Sequence, residues 1–353
     1  MLDVGGQAGQ AWQRVGWQTR TRSLTMPRSR QKPGAGGRYR SILVPLDGSR
    51  LSEQALPLAV AIAERARARL GLVLVSVPRV PVSAPVSLSA EVRQLYVSLE
   101  VEARESEKAY LETFTDQLTR QSPGLAITST ALMGPVADTL CRYVQESRGD
   151  LVVMTTRGQG GLRRLWLGSV ADAVIRGTSV PVLLVRPEES PSPQPVLENL
   201  NQILVPLDGS ALAESILEPA RELASLAGAE LMLVQVIQPL VSPLERHGAA
   251  PRTFDVELTS VTRQEAAGYL NNLAERCLKA GVKTAYSAPL GGNVADTILS
   301  LAEAPAVGLI AIATQGRGGV KRLVLGSVAD KLVRTAPCPL LVYRPPARAR
   351  GRS

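Results

Sequence analysis

A glycine-rich segment followed by paired basic residues occurs twice in the chain. It reads TTRGQGGLRRLWLGS at residues 155–169 and ATQGRGGVKRLVLGS at residues 313–327. Its glycines can gather successive backbone N–H groups around an anion. Each Gly-Ser pair precedes an apolar helical pattern whose first turn offers unpaired N–H groups. The cations of the two segments are Arg163 with Arg164 and Lys321 with Arg322. The pattern favours a polyphosphate site in each half of the chain.

The same segment also has a structural interpretation. The glycines can form a tight turn, the arginines can be solvated, and Ser169 can cap its helix, because Ser169 and Asp172 have the spacing of a capping box. Both copies retain the glycines, the basic pair and Gly-Ser at equal spacing, which favours the anion site. A duplication can preserve a structural turn as well, so both interpretations stay open.

A second repeated motif, ILVPLDGS, places an aspartate at the end of the first predicted strand of each copy. Asp47 and Asp208 are 161 residues apart. Their carboxylates can accept a hydrogen bond from a ribose hydroxyl or an adenine amino group, although Asp-Gly-Ser is also a common turn and helix-cap sequence. Pro45 and Pro206 lack a backbone donor, which predicts a bulge or an irregular edge at that point of the strand.

Short β-branched runs alternate with amphipathic helical patterns in both copies. In the first copy we predict strands at 42–46, 72–77, 126–131, 151–155 and 180–185 and helices at 51–69, 91–121, 136–147 and 170–176. Apolar runs without period-two alternation indicate strands covered on both faces, and the strand–helix alternation indicates parallel strands. The predicted fold class is α/β: two tandem doubly wound, Rossmann-like domains, each with a five-stranded parallel sheet. Ligands of such sheets bind beyond the carboxyl ends of the strands, where both motifs are expected.

The two motifs together resemble the universal stress protein family. The resemblance rests on the paired VPLDGS openings, on G-x-G-G-x-[RK]-R-L-x-L-G-S-V-A-D and on the final strand PVLLVRP. It covers about residues 41–187 and 202–345. Nucleotide-binding members of the family carry Gly-x-x-Gly, nine residues and then Gly-Ser or Gly-Thr around ATP. Both copies match from the second glycine onward, whereas Thr155 and Ala313 replace the first.

The resemblance implies a set of nucleotide contacts in each copy. In the first copy these are Pro45, Asp47 and Val77 for adenosine and Gly158, Gly168 and Ser169 for the phosphates. In the second copy they are Pro206, Asp208, Val236, Gly316, Gly326 and Ser327. The implied ligand is ATP, with or without Mg²⁺. The family also implies that the two domains pair through their last strands as an internal pseudo-dimer, and further assembly between chains stays open.

The positive charge is concentrated at the two ends of the chain. Of the net charge of +9, residues 1–40 contribute +7 and residues 344–353 contribute +4, which leaves −2 for residues 41–343. We predict a disordered basic tail at 1–40, domains at 41–187 and 202–345, a Pro-rich linker at 188–201 and a basic tail at 346–353. Nucleic-acid binding is expected only through the tails. An organelle transit peptide, or a translation start at Met26, is an alternative for the N-terminal segment.

Composition narrows the class of function. No apolar run reaches the ~18–20 residues of a membrane-spanning helix. Three widely spaced cysteines and a single histidine, His247, give little support to disulfides or to zinc. A repeated Ser-His-Asp relay is excluded because the first copy contains no histidine. The glycines follow the fourth strand, which disfavours a dinucleotide oxidoreductase. We therefore expect a soluble, cytoplasmic protein.

The expected function is that of an ATP-binding regulator in the stress response, acting on an unknown protein partner and not an enzyme. A weak ATPase is one alternative, with Asp47 and Asp208 as the repeated carboxylates that could hold a metal ion. A scaffold of the same fold that has lost nucleotide binding is the other.

Overall fold

The computed structural model describes residues 38–77, 90–156, 167–187, 197–239, 253–314 and 325–346. These residues fall into two compact units that divide between residues 196 and 197. Both units are α/β domains with parallel strands, which confirms the predicted fold class.

The first domain contains a five-stranded sheet in the order β3-β2-β1-β4-β5. The strands are β1 (Ser41–Leu46), β2 (Arg69–Ser76), β3 (Ile127–Met133), β4 (Leu151–Thr155) and β5 (Val182–Val185). Each neighbouring pair is parallel. Because β1 lies between β2 and β4, the strand order reverses beside β1, and the crevice beyond its carboxyl end is the expected ligand position.

The helices of the first domain are α1 (Arg50–Glu53), α2 (Leu56–Ala66), α3 (Ala90–Gln121), α4 (Val136–Glu146) and α5 (Ser169–Gly177). The single helix predicted at 51–69 is therefore two helices. A proline in the first turn of α2 begins a new helix, and Arg67 ends it in the left-handed conformation, with φ 53°. Strand β2 then starts at Arg69, three residues earlier than predicted.

The second domain repeats this plan in the order β10-β9-β6-β7-β8. Its strands are β6 (Gln202–Pro206), β7 (Glu230–Val234), β8 (Thr284–Ser287), β9 (Val307–Ala313) and β10 (Leu340–Tyr343). Its helices are α6 (Ala211–Glu214), α7 (Leu217–Ala227), α8 (Thr253–Lys279), α9 (Val294–Ala302) and α10 (Ser327–Thr335), and a 3₁₀ turn at Leu197–Asn199 precedes β6. All its strand pairs are parallel.

The core of each domain is formed by the central strands. Strands β4 and β5 are buried at every position, as expected for strands covered on both faces. Ile42, Leu70, Ile203 and Leu231 are completely buried, and each such side chain stabilises the fold by about 1.5–3 kcal/mol relative to an exposed one. The first strand of each domain is thereby fixed, and with it the motif that follows.

A proline opens the sheet at the end of each first strand. The Ser41 carbonyl of β1 accepts a hydrogen bond from the N–H of Asp150, the residue just before β4. In a parallel strand, successive residues direct their backbone groups to opposite neighbours. Pro45, four residues after Ser41, therefore faces β4. The β1–β4 ladder ends at Leu43, two residues before the proline, while the β1–β2 ladder continues unbroken to Leu46. The predicted irregular edge is thus an early end of one ladder and not a bulge.

The second domain repeats this early end of one ladder, and its β6–β9 ladder also has a register shift at Gln202–Ile203, away from the proline. The Asn201 carbonyl accepts a hydrogen bond from the N–H of Glu230 in β7. Pro206 is five residues later, and because an odd separation reverses the direction of the backbone groups, it faces β9. The β6–β9 ladder ends at Leu204. Since the missing N–H lies on the β9 side, the crevice opens between the carboxyl ends of these two strands.

Candidate functional site

A cavity of about 310 Å³ lies at this crevice of the second domain. It is bounded by the ends of β6, β7 and β9, by α6 and α9, and by the first turn of α10. Apolar side chains form most of its wall, among them Leu212, Val234, Val236, Ile298 and Ile312. Its polar groups include Asp208, Thr314 and Ser327. The volume is at the lower end of the range for small-molecule sites, which are mostly apolar with a few converging polar groups.

Five of the six site residues predicted for the second copy line this cavity. They are Pro206, Asp208, Val236, Gly326 and Ser327. Ala313, which replaces the first glycine of the family pattern, lines it too. The sixth, Gly316, lies outside the described residues, as do Gly158 and the basic pairs Arg163-Arg164 and Lys321-Arg322.

The Asp208 carboxylate holds the turn that leads into α6. Its Oδ1 accepts from the Ser210 N–H at 2.9 Å, and the Ser210 hydroxyl in turn accepts from the Ala213 N–H at 3.1 Å, which caps α6. The turn-and-cap interpretation of Asp-Gly-Ser is therefore correct for Oδ1. Within the described part of the chain Oδ2 accepts no hydrogen bond, so one carboxylate oxygen remains available at the cavity.

The N-terminus of α10 carries no side-chain cap. Gly326 occupies the N-cap position and Ser327 is the first helical residue, so the hydroxyl of Ser327 does not cap the helix. Gly326, Ser327, Val328 and Ala329 all line the cavity. The first turn of a helix has N–H groups without intrahelical partners and a partial positive charge, so this end of the cavity suits an anion.

Gly326 leaves open space beside that helix end. Its backbone, with φ −55° and ψ 152°, is one that any residue can adopt, and a Cβ built on it would meet no atom of the described residues within 4 Å. Neither the backbone nor the described neighbours require a glycine here. The missing side chain instead leaves room for a group that approaches the amides.

The capping box expected from Ser169 and Asp172 does not form. Asp172 pairs with Arg176 one turn further along α5, with Nη2 to Oδ1 at 2.7 Å. Asp330 and Arg334 form the same pair in α10, with Nε to Oδ2 at 2.9 Å. The arginine neutralises the carboxylate and turns it away from the helix start, so the expectation from spacing alone was wrong.

In the first domain α5 also begins without a side-chain cap, at Gly168, but the backbone around that glycine differs. The Gly168 N–H donates to the Thr156 carbonyl at 2.6 Å, whereas the Gly326 N–H has no acceptor among the described residues. Thr155, at the position of the first family glycine, is 5% exposed. Asp47 repeats the turn: its Oδ1 accepts from the Ser49 N–H at 3.0 Å and from the Ser49 hydroxyl at 2.6 Å.

Comparison with known proteins identifies the family. A sequence profile of the universal stress protein family matches residues 38–186 and, a second time, residues 199–344. The chain belongs to this family. Universal stress protein Mb2019 of Mycobacterium bovis is 28% identical over 322 residues, which are 86% of this chain and 95% of the relative. Universal stress protein YxiE of Bacillus subtilis is 32% identical over 149 residues, which are 41% of this chain and 99% of the relative.

A solved structure supports the same fold for both domains. A universal stress protein from Archaeoglobus fulgidus superimposes with a TM-score of 0.61 at 18% identity, covering 86% of this chain and 98% of that structure. The tandem arrangement of two universal stress protein domains, inferred from the repeated motifs, is confirmed.

Val77 was assigned to the wrong place in the first universal stress protein domain. The β1–β2 and β6–β7 registers align Arg69 with Glu230, so the residue equivalent to Val236 is Val75. Val77 lies beyond the end of β2 and is 61% exposed. Val77 was chosen as the last residue of a strand predicted at 72–77, whereas β2 spans Arg69–Ser76 and passes through Gly71. A Cβ at Gly71 would lie 2.7 Å from Leu43 Cδ2, which explains why a glycine occupies this buried position.

A repeated tyrosine–glutamate contact was missed in the sequence. Tyr269 of α8 donates to Glu214 Oε1 at 3.2 Å, and Tyr110 of α3 donates to Glu53 Oε1 at 3.0 Å. Burial and the neighbouring carboxylate raise the pKa of both hydroxyls. The signal was present in both copies, as D-G-S-x-x-x-E after the first strand and a Tyr-Leu pair in the long helix.

Three other properties concern the described residues as a group. No helix in the described ranges has the length and apolar character needed to cross a bilayer. In the same ranges, no three His, Cys, Asp or Glu side chains are grouped so that they could hold a metal ion. Cys141, Cys277 and Cys338 are free thiols, and burial raises the pKa of Cys338 to about 12.

Proposed function

We propose that the second domain binds ATP or a related adenine nucleotide in the 310 Å³ cavity, and that occupancy regulates binding of a protein partner in the stress response. The supporting observation is the uncapped start of α10 at Gly326, which lines the cavity and has no atom of the described residues within 4 Å of the position that a Cβ would take. In contrast, Ser210 caps the neighbouring α6. A fold that caps one helix and leaves the next open at a cavity is suited to an exogenous anion.

The rest of the cavity suits a nucleoside. Val234 and Val236 offer an apolar surface for a base, and the Asp208 Oδ2 can accept from a ribose hydroxyl or an exocyclic amine. The α10 amides would then receive the phosphates. Mg²⁺ commonly accompanies a nucleoside triphosphate by bridging its phosphate oxygens, so the complex with Mg²⁺ is the ligand to test.

We propose binding without efficient catalysis. Phosphoryl transfer needs a carboxylate that holds the metal and a group that orients the nucleophile. Asp208 is the carboxylate among the described cavity residues, and one of its oxygens already holds the turn before α6. Phosphate release from labelled ATP in single-turnover assays, lost in Asp208→Ala, would establish the weak ATPase instead.

The first domain favours the second candidate function, a scaffold without nucleotide. Its Gly168 N–H is taken by Thr156, and Thr155 is buried where the family pattern has a glycine. We therefore propose that one site per chain binds nucleotide tightly. Pairing of the two domains, further assembly, cytoplasmic location and nucleic-acid binding by the tails stay predictions.

Isothermal titration calorimetry of the full chain with ATP and Mg²⁺ tests the proposal. We expect a stoichiometry near one and a loss of that site in Gly326→Val. Identification of nucleotide retained through purification, by chromatography of the denatured protein, gives independent support. Absence of binding up to about 1 mM, a free energy of only about −4 kcal/mol, would establish the scaffold interpretation for both domains.

A further inference from the structure

The short helix α6 forms a wall of the cavity, with Leu212 and Ala213 lining it. It has only four residues. Helices of this length are not stable on their own, because the cost of nucleation is offset by very few hydrogen bonds. Contacts with the rest of the domain must therefore fix its position.

The two ends of α6 are held differently. Its start is held locally, by the Ser210 cap and the Asp208 turn. Its end is held from a distance in sequence, because Glu214 Oε1 accepts from the half-buried Tyr269 hydroxyl of α8, 55 residues away. The second carboxylate oxygen lies 3.6 Å from Arg276 Nη1, but the Arg276 side chain is 70% exposed. An exposed ion pair contributes little, so the tyrosine is the stronger of the two side-chain contacts of Glu214, and it acts beside the buried Ile216 that follows the helix.

The hydrogen bond between Tyr269 and Glu214 does not depend on pH in the neutral range. Burial, followed by the charge of Glu214, raises the pKa of Tyr269. The hydroxyl therefore keeps its proton, and remains a donor, throughout the neutral range. The first domain carries the same contact between Tyr110 and Glu53, which provides a matched control in the same molecule.

We propose that Tyr269 is a positioning residue for the nucleotide cavity and that it acts through Glu214 on the α6 wall. This inference rests on the proposed function, because it assigns a role at that same site. Tyr269 does not line the cavity, and its hydrogen bond to Glu214 connects it to the α6 wall, while its weaker electrostatic interaction with Asp208 does not involve contact with a ligand. The long helix α8 is thereby coupled to occupancy of the cavity.

The experiment compares Tyr269→Phe with Tyr110→Phe in the full chain. The probes are ATP with Mg²⁺ in calorimetry and hydrogen exchange of a peptide spanning residues 207–216. Loss of a hydrogen bond to a charged group is expected to weaken ATP binding about tenfold in Tyr269→Phe and to speed exchange in that peptide about threefold without nucleotide. Tyr110→Phe is expected to leave both readouts within about twofold, although it removes an equivalent bond.

Variants of Glu214 separate positioning from general destabilisation. Glu214→Gln keeps an oxygen acceptor for Tyr269 and should bind ATP within about twofold of the unmodified protein. Glu214→Ala should match Tyr269→Phe, and the double variant should lose no more than either single one, because they remove the same bond.

Two results would overturn the inference. One is an unchanged exchange rate at residues 207–216 in Tyr269→Phe. The other is an equal loss of ATP affinity in Tyr110→Phe and Tyr269→Phe, which would indicate a general loss of stability. If the unmodified protein binds no ATP, the proposed function fails, and the exchange experiment alone then decides whether Tyr269 positions α6.

Discussion

The two domains have the same fold but differ at the crevice beyond the carboxyl end of their first strand. In the second domain, the amide of Gly326 has no acceptor among the described residues and part-exposed Ala313 lines the cavity. In the first, Gly168 is bonded to Thr156 and Thr155 is buried. The turns after the first strands are nearly identical. The difference teaches that the aspartate turn and a helix start without a side-chain cap are common to both domains, whereas the N–H of the N-cap glycine is bonded to Thr156 in the first domain only.

The largest expected effect comes from filling the space at the start of α10. Gly326→Val should weaken ATP binding about 100-fold, or ~2.7 kcal/mol, because the side chain occupies the position from which an anion reaches the amides. Gly168→Val is the matched control and should change affinity less than about threefold. Calorimetry measures both. Equal losses in the two variants would remove the proposed asymmetry.

Removal of the aspartate should separate its two roles. Asp208→Ala is expected to weaken ATP binding about tenfold, since it removes a charged acceptor at the cavity. Asp47→Ala should leave ATP affinity unchanged. Both should lower the free energy of unfolding of their own domain by about 1 kcal/mol, because the turn to Ser210 or Ser49 is lost. A decrease in ATP affinity for Asp47→Ala would show that the first domain also binds.

Replacing the serine at the start of a helix should have different effects on stability in capped α6 and uncapped α10. Ser210→Ala should lower the free energy of unfolding by about 1 kcal/mol, because it removes the α6 cap. Ser327→Ala should cost less than about 0.5 kcal/mol, since this hydroxyl caps nothing. Urea titration measures both differences. A larger cost for Ser327→Ala than for Ser210→Ala would contradict the open-helix description.

The smallest effect concerns a helix end where the domains also differ. Helix α2 ends at Arg67 with φ 53°, whereas α7 ends at Gly228 with φ 69°. A side chain in the left-handed conformation is strained, so Arg67→Gly should stabilise the first domain by about 0.5–1 kcal/mol. Gly228→Arg should destabilise the second by a similar amount. Thermal unfolding provides the measurement, and a lower melting temperature for Arg67→Gly would refute the strain.

The fold was largely predictable because it depends on patterns that repeat. Apolar runs such as Leu151–Thr155 lack alternation, which indicates strands covered on both faces, and the alternation of these runs with helical patterns indicates a parallel sheet. The strand predicted at 72–77 begins at Arg69 and ends at Ser76, so Val77 lies beyond its end, and Gly71 lies inside the strand because its close packing against Leu43 requires a small residue.

The position of the candidate site was predictable, and the partners of its charged groups were less so. The two motifs predicted one shared crevice, and Asp208 and Gly326 both line the same cavity. The partner of each charged group could not be read from spacing, because Asp330 can pair either backward with the helix start or forward with Arg334, and geometry selects the arginine. Tyr269 and Glu214 are 55 residues apart, so only the folded chain shows that they meet.

Pro206 has a consequence for the kinetics of binding. A strand end that could bond to its neighbour would close over the crevice, and a ligand would have to wait for the rare moments when the two strands separate. Pro206 has no backbone N–H and therefore cannot donate a hydrogen bond to β9 at this position of β6. We therefore expect association with nucleotide to be a single bimolecular step, with a rate that rises linearly with concentration and shows no plateau from a preceding isomerisation.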